Sequence, residues 1–305
     1  VQHHHAHIAS CMAENALEGP VIGVALDGTG FGTDSTMWGG EFFIADLRQF
    51  SRVAHFKQYT MPGGNEAIRN PSRMAFSYLF SESQSNHDSL ASTLLPEISD
   101  HERNILCKMI QERFNSPLTS SAGRLFDCVA ALIGLGDELS YEGRAAIRLQ
   151  RCADKSISEN YSFLLEQKPP PATDGMLSPI GASFAEPCSV LSFGPMILEI
   201  LQDIYRGREK SEISGKFHNT VSKAVLAVCS NIREKSGLNQ VVLSGGVFQN
   251  DLLLEKSIKF LVSHGFKVFT HHLVPPNDGG IALGQAAIAL VRQNAVLFQE
   301  SSRGC

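Results

Sequence analysis

The sequence predicts an α/β fold with strands near both ends and helices in the middle. Apolar or alternating runs at 21–26, 36–45 and 50–59 predict a three-stranded meander. Helical periodicity then dominates from 65 to about 229. Near the other end, strand, helix, strand and helix are predicted in turn at 240–244, 250–264, 267–270 and 279–292. That alternation is the unit from which parallel sheets are built.

Composition narrows the class of protein. The 305 residues suffice for one large or two ordinary domains, and 43% hydrophobic with 19% charged residues is a globular composition. A net charge of −5 gives no electrostatic reason to expect nucleic acid or an anionic membrane as a partner. No apolar run reaches the roughly 18 residues of a membrane span. The seven cysteines are scattered without a Cys-x-x-Cys pair, which favours a reducing cytoplasm.

The first predicted element is a helix that begins at a histidine cluster. His3 and His7 are four residues apart, so a helix puts both imidazoles on one face, about 6 Å apart along the axis. Two converging imidazoles are half of a transition-metal site, and further ligands are needed to complete it. An expression tag or a solvated histidine-rich helix end are the alternatives.

Two glycine-containing turns follow predicted strands. A turn at Asp27-Gly28-Thr29-Gly30 could direct backbone N–H groups at an anion, and Asp27 could bind a metal, although Asp-Gly is also common in plain hairpins. Gly245 and Gly246 lie between a strand and the helix that begins near Asn250. This arrangement suits phosphate binding, and an ordinary tight turn is the alternative.

Two further places offer charged groups. Asp278 precedes the last predicted helix, where it is either an N-cap or a carboxylate ligand at a strand-to-helix switch. Arg69 and Arg73 at i,i+4, and Arg124 beside Asp127, suit oxyanions such as phosphate. Arginines on solvated helix faces are the alternative for this last group.

The order of these segments resembles the carboxy-terminal region of the nickel–iron hydrogenase maturation carbamoyltransferases, the HypF family. The segments that carry the resemblance are VQHHHAH, ALDGTGFGTD with WGGEF, MPGGNEAIRNPSRMA, SSAGRLFDCVAALIGL, YEGRAA, LSGGVFQN and PPNDGGIALGQA. It extends from Val1 to about Ala289. The same region is similar to tRNA threonylcarbamoyl transferases and antibiotic O-carbamoyltransferases. All belong to the actin-like ATPase superfamily, whose lobes are RNase H-like.

The resemblance implies a domain layout. Residues 1–20 would be a metal-binding helix from the end of a first lobe. Residues 21–292 would be the second actin-like lobe with a helical insertion at about 65–232, and 293–305 a flexible tail. The rest of the first lobe and an upstream adenylate-forming domain would then be missing, so we expect the isolated chain to be poorly active.

The resemblance also implies a site. His3, His7, Asp27 and Asp278 match metal ligands, a donor set that suits Fe(II) or Zn(II). His4 and His5 are not carried over as ligands. Nucleotide-binding positions are matched by Gly28, Thr29, Gly30, Asp127 at the ribose, Gly143 at the nucleoside, Gly245, Gly246 and Asn250. Arg69 and Arg73 lie in a segment typical of the hydrogenase branch, and we expect them to contact phosphate or carbamoyl. Arg148 stands where related families often carry an acidic residue, so ribose recognition should differ in detail.

The implied reaction is carbamoyl transfer. Carbamoyl-adenylate, made from carbamoyl phosphate and ATP, would carbamoylate the carboxy-terminal cysteine thiolate of a partner maturation protein on the way to the hydrogenase cyanide ligand. The nucleophile belongs to the partner, so Cys305 is taken as incidental. The alternatives are a tRNA threonylcarbamoyl transferase, a small-molecule O-carbamoyltransferase, a sugar-kinase-like ATPase, and a non-enzymatic metal-binding scaffold left by truncation. Neither nucleic acid nor membrane is expected as a partner.

Overall fold

The computed structural model describes residues 1–83, 86–136, 143–167 and 188–301, with backbone alone for 295–301. Their strands form one nine-stranded mixed sheet in which β6-β7-β3-β2-β1-β8-β9 lie side by side, with β4 and β5 attached beside β2. The strands are β1 (Val21–Phe31), β2 (Met37–Ala45), β3 (Phe50–Phe56), β4 (Tyr59–Thr60), β5 (Leu118–Thr119), β6 (Leu164–Gln167), β7 (Ser189–Ser192), β8 (Gln240–Ser244) and β9 (Lys267–Phe269).

Helices cover both faces of this sheet. They are α1 (His3–Glu14), α2 (Asn65–Arg69), α3 (Pro71–Glu82), α4 (His87–Leu94), α5 (Asp100–Glu112), α6 (Ala122–Leu132), α7 (Arg144–Cys152), α8 (Gly194–Tyr205), α9 (Lys210–Ser236), α10 (Asp251–Ser263) and α11 (Ile281–Ser301). The predicted strand-helix-strand-helix unit is confirmed as β8, α10, β9 and α11. The described helices include none that is long and apolar enough to cross a membrane.

The predicted meander is confirmed, but its first strand is longer than expected. β1 pairs antiparallel with β2, and β2 pairs antiparallel with β3. The turn predicted at Asp27–Gly30 is wrong. The pairing with β2 shifts register between Leu26 and Gly30 and then resumes, so β1 continues to Phe31. The irregularity is a bulge, which bends the strand and re-aims the residues after Leu26.

The predicted helical insertion contains three strands that the sequence did not indicate, β5, β6 and β7. β7 pairs parallel with β3 through Ala54 and Ser189, and β6 pairs antiparallel with β7. Residues 65–232 therefore contribute to the main sheet as well as to its helical cover. β5 has two residues, and β6 and β7 have four each, which is too short for a period of two to stand out beside the surrounding helices.

The central strand β1 divides the core in two. Ile22, Val24 and Leu26 face a large cluster that includes α3, α6 and α9. Val21 and Ala25 face a smaller cluster with α1 on the other side. Since successive side chains alternate across a strand, the apolar run at 21–26 holds helices to both faces, and this brings α1 and α6 to the same end of β1.

The last helix differs from the expected tail. α11 extends to Ser301, beyond the predicted helix end at Arg292 and into the segment predicted to be flexible. The segment after Arg292 is rich in Ala, Leu, Gln and Glu, which are good helix formers. Residues 302–305, and with them Cys305, lie outside the described residues.

Candidate active site

Helix α1 delivers the histidine cluster to the sheet. Its N-cap is Gln2, whose side-chain oxygen accepts from the His5 N–H at 2.8 Å. Glycines allow a close approach: a Cβ at Gly284 of α11 would lie 1.9 Å from the Ala6 carbonyl oxygen, and one at Gly30 would lie 2.5 Å from the His4 ring. Gly30 therefore packs beneath the histidines.

Asp27 lies in the bulge of β1, level with the carboxyl end of the parallel neighbour β8. Because the last parallel pair joins Ala25 to Ser244, Asp27 meets the Gly245-Gly246 turn that follows β8. The Gly246 N–H donates to Asp27 Oδ1 at 3.0 Å. This bond orients the carboxylate so that Oδ2 points at the imidazoles of α1.

Four predicted ligands converge at this point. His3 Nε2 lies 3.1 Å from Asp27 Oδ2 and 3.5 Å from Asp278 Oδ1. His7 Nε2 lies 3.4 Å from each of the same two oxygens. One donor atom from each residue falls within a cluster 4.8 Å across. The predicted convergence of His3, His7, Asp27 and Asp278 is thus present in the structure.

The chemistry of this cluster fits a divalent cation. Two ligands that are each about 2.1 Å from a tetrahedral ion are about 3.4 Å apart, which matches the nitrogen–oxygen separations of His7. His7 is 1% exposed, and its Nε2 has no hydrogen-bond partner among the described residues. Buried ring nitrogens are seldom left unpaired. Two imidazoles and two carboxylates suit Fe(II) or Zn(II).

In the metal-free cluster, the attraction between histidines and carboxylates shifts the pKa values of Asp27 and His3. Burial alone would raise the pKa of Asp27, but the hydrogen bond with His3 and the nearby histidine charges hold it well below its usual range. The hydrogen bond with Asp27 raises the pKa of His3 despite partial burial. Without a metal, a proton on His3 therefore partly neutralises the nearby carboxylates. A metal ion that binds to His3 would have to displace this proton.

His4 is closer to the cluster than the sequence suggested. Its Nε2 lies 3.7 Å from Asp27 Oδ2 and its ring stacks on Trp38. Burial lowers the pKa of His4 to about 4, so it is neutral at physiological pH. Its i,i+3 spacing from His7 was the signal that could have revealed it. His5 points away, with Nε2 2.7 Å from the Asp46 carbonyl oxygen.

A cleft of about 540 Å³ opens beside the four ligands. Asp27 and Asp278 line its mouth together with most of the predicted nucleotide positions. Those positions are Gly28, Thr29, Asp127, Gly143, Gly246 and Asn250. The first turn of α6 closes one side, where the N-cap Ser121 accepts from the Arg124 N–H and donates to the Asp27 carbonyl oxygen.

A buried ion pair forms part of the cleft wall. Arg124 Nε lies 2.7 Å from Asp127 Oδ2, and the two side chains are 3% and 1% exposed. Both residues line the cleft. A buried pair of this kind is costly to break, because the remaining charge loses its partner. Of the four arginines singled out from the sequence, Arg124 is the one that lines the cleft.

Asn250 is held from behind by a histidine that sequence reasoning missed. Asn250 caps α10 by accepting from the Leu253 N–H at 3.0 Å, and its amide donates to His218 Nε2 at 3.0 Å. His218 Nδ1 donates to the Ser214 carbonyl oxygen at 2.8 Å. A single histidine inside a long helical pattern carries no sequence signal for this role.

The remaining predicted contacts are not brought to the cleft. Arg69 pairs with Glu66 at 3.1 Å, and Arg73 pairs with Glu102 at 2.8 Å. Gly245, with φ +102°, packs on the backbone of Leu26. Gly30 lies under the histidines, and the Arg148 guanidinium donates to the Leu135 carbonyl oxygen at 3.4 Å. These residues lie outside the set that lines the cleft.

Comparison with known proteins identifies the family of the chain. The family model described as "Carbamoyltransferase, Kae1-like Domain, second subdomain" matches residues 23–285. The carbamoyltransferase HypF2 of Cupriavidus necator is 32% identical over 302 residues, covering 96% of this chain and 36% of that protein. The carbamoyltransferase HypF of Synechocystis is 33% identical over 299 residues, covering 93% and 36%.

Solved structures give the same relationship. A full-length HypF crystallised in a phosphate- and nucleotide-bound form superposes with a TM-score of 0.83 and 41% identity, covering 95% of this chain and 35% of that one. HypF of T. kodakarensis superposes with a TM-score of 0.80 at 27% identity, over 97% and 37% of the two chains. The chain spans about a third of these relatives. It belongs to the HypF carbamoyltransferase family and represents the Kae1-like, actin-like portion of that family.

Proposed function

We propose that this chain transfers a carbamoyl group from carbamoyl-adenylate to the carboxy-terminal cysteine thiolate of a partner maturation protein, in the pathway to the nickel–iron hydrogenase cyanide ligand. The observation that carries the proposal is the adjacency of two sites. His3, His7, Asp27 and Asp278 cluster within 4.8 Å at the mouth of a cleft whose walls carry the predicted nucleotide positions. A mixed anhydride of carbamate and AMP needs both.

The four ligands would hold Fe(II) or Zn(II), which supplies Lewis-acid polarisation of phosphate and acyl oxygens when bound. The protein's own groups do the rest of the binding. The backbone of Gly28 and the first turn of α6 line the region where an anionic phosphate would bind, and the N-terminal end of the α6 dipole favours negative charge there. Asp127, held by Arg124, offers a carboxylate for the ribose hydroxyls.

Transfer requires a nucleophile from outside this chain. The incoming thiolate would form an S–C bond to the carbamoyl carbon, and the C–O bond to AMP would break with the electron pair leaving on phosphate. No cysteine is among the described residues that line the cleft. Burial raises the pKa of Cys11 to about 12 and also raises the pKa of Cys128 and Cys229. Such thiols are poor nucleophiles, which favours a partner cysteine as the nucleophile.

The upstream chemistry belongs to a separate part of the system in this proposal. Carbamoyl phosphate and ATP would be converted to carbamoyl-adenylate by an adenylate-forming domain. The relatives are nearly three times as long as this chain, since the chain covers 36% of their length. There is room in them for that domain.

The test supplies carbamoyl-adenylate directly, so that no upstream domain is needed. The chain with Zn(II) or Fe(II) is mixed with a peptide that ends in cysteine, and mass spectrometry follows a gain of about 43 Da on that peptide, the mass of one carbamoyl group replacing hydrogen. A peptide ending in serine controls for the acceptor.

We expect His3→Ala and Asp278→Ala to lose bound metal and transfer together. His101→Ala, at an exposed position of α5, serves as the matched control. Transfer by metal-free His3→Ala protein would contradict the role of the cluster. Modification of tRNA, when threonylcarbamoyl-adenylate is supplied as the donor in place of carbamoyl-adenylate, would assign the chain to the threonylcarbamoyl branch.

A further inference from the structure

A second polar cluster lies at the other end of α1, outside the cleft lining. Ser244 Oγ is 2.8 Å from His271 Nε2, and His271 Nδ1 is 3.1 Å from Glu14 Oε2. Hydroxyl, imidazole and carboxylate stand in the order found in serine hydrolases. Ser244 is fully buried at the end of β8, however, so no substrate carbonyl can reach its hydroxyl. The cluster is therefore structural, and its role follows from the elements that it connects: α1, β8 and the loop after β9.

Glu14 joins α1 to the loop that carries Asp278. One carboxylate oxygen accepts from the His272 N–H at 2.7 Å and also from the Leu273 N–H. The other accepts from His271, so three N–H donors converge on one side chain that is 4% exposed. The chain then runs directly on to Asp278. The start of the loop is thus fastened to α1 a few residues before the ligand.

The same face of α1 also fastens the loop beyond Asp278. Ser10 Oγ donates to the Gly280 carbonyl oxygen at 2.8 Å. His3, His7, Ser10 and Glu14 recur at spacings of four, three and four, which places them along one helix face. One face of one rigid helix therefore carries two metal ligands and grips the loop on both sides of a third.

The position of Glu14 needs such an explanation. It is the last residue of α1, where the helix dipole disfavours a negative charge. Burial would raise the pKa of Glu14, but hydrogen bonds from the Leu273 and His272 N–H groups and from His271 lower it. The carboxylate is kept ionised by the loop that it holds. If the loop did not have to be held, a neutral residue at position 14 would stabilise α1 more, because it would avoid the unfavourable interaction with the helix dipole.

We propose that Glu14 is a positioning residue for the metal centre: through His271 and the His272 and Leu273 amides, it fixes Asp278 at the distance from His3 and His7 that a metal requires. The inference rests on the proposed metal site and extends it to a residue that does not touch the metal. Ser244 and His271 brace the loop against the end of β8, beside the Gly245-Gly246 turn.

The test is a double-mutant cycle on Zn(II) affinity, measured in the chain by competition with a chromophoric chelator. We expect Glu14→Ala to weaken Zn(II) binding about 10- to 100-fold, as loss of an outer-shell partner typically does. Glu14→Gln should be affected less, because its amide oxygen still accepts from the two backbone N–H groups. Glu18→Ala, at an exposed position just past α1, is the matched control and should bind normally.

The decisive measurement is the same substitution in an Asp278→Ala background, titrated at Zn(II) concentrations high enough to fill the weaker site that His3, His7 and Asp27 still form. If Glu14 acts through Asp278, Glu14→Ala should cost less than about twofold there, since coupled residues are not additive. An equal loss in both backgrounds would overturn the proposal, as would wild-type affinity in a folded Glu14→Ala protein. If Glu14→Ala does not fold, the cycle is run with Glu14→Gln under the same criteria. A wild-type chain that fails to bind Zn(II) would instead contradict the metal site itself.

Discussion

His7 and His218 are both almost completely buried, yet their surroundings give them opposite roles. His218 has a partner at each ring nitrogen, the Ser214 carbonyl oxygen at 2.8 Å and the Asn250 amide at 3.0 Å. His7 Nε2 has no hydrogen-bond partner in the described part of the chain and faces two carboxylate oxygens at 3.4 Å. Both ring nitrogens of His218 are thus hydrogen-bonded within the protein, whereas Nε2 of His7 faces the space beside two carboxylates.

This contrast separates a structural histidine from a ligand. Burial by itself does not distinguish the two roles, since each ring is buried where a helix packs on the sheet. A buried ring nitrogen without a partner costs about 1–3 kcal/mol, so its persistence beside two carboxylates indicates that something else supplies the contact. The saturated ring of His218 leaves no nitrogen for a ligand, and its effect on the cleft passes through Asn250.

The largest expected difference is in stabilisation by metal. Zn(II) at 100 times its dissociation constant should stabilise the wild-type chain by about 2.7 kcal/mol, because it binds the folded state. His7→Ala should lose this stabilisation, since removing a direct ligand weakens binding more than the roughly 100-fold limit typical of outer-shell changes. Thermal unfolding with and without Zn(II) measures it, with His101→Ala as the control. A zinc-dependent rise in Tm that persists in His7→Ala would contradict the assignment of His7 as a metal ligand.

A smaller effect is expected in the pH dependence of folding. Burial lowers the pKa of His218 from 6.5 to about 4, so between these values the unfolded chain binds a proton that the folded chain does not. Stability from this group is complete above pH 6.5 and decreases as the pH falls toward 4, by about 2 kcal/mol between pH 7 and pH 4.5. His218→Gln keeps an acceptor for Asn250 but does not titrate.

Urea unfolding of both proteins at pH 7 and pH 4.5 isolates this contribution. Other buried histidines titrate in both proteins and cancel in the difference. We expect His218→Gln to lose less stability than the wild type over this interval. Parallel losses in the two proteins would mean that His218 is already protonated in the folded state.

The smallest effect is expected at the arginine that the sequence assigned to substrate. Arg69 is 74% exposed at its side chain and pairs with Glu66 on the surface. Exposed pairs contribute about 0–1 kcal/mol, so Arg69→Ala should change the unfolding free energy by less than about 0.5 kcal/mol. AMP binding, measured by calorimetry, should stay within twofold of wild type. A tenfold loss of AMP affinity would restore Arg69 to the site.

Local patterns predicted the elements more securely than their contacts. The apolar run of β1 and the spacing of His3 and His7 were readable because each depends on residues within a few positions of one another. The short strands β6 and β7 were missed because β7 pairs with β3 across a long stretch of sequence, and β6 in turn pairs with β7. The surroundings of Arg69 and Arg73 could not be predicted for a similar reason: whether a guanidinium meets a ligand or a neighbouring Glu depends on which surface its helix presents.

By itself, the sequence determined the α/β class, the histidine pair on one helix face, and a family resemblance strong enough to point to Asp27 and Asp278. Only the tertiary structure decided that these four side chains share one point in space, that Gly30 and Gly245 serve packing, and that Glu14 fastens the Asp278 loop. The physical reason is that ligation and hydrogen bonding act over about 2–4 Å. Residues more than 250 positions apart, such as Glu14 and His271 with a separation of 257, come within that range only when the sheet and helices have packed.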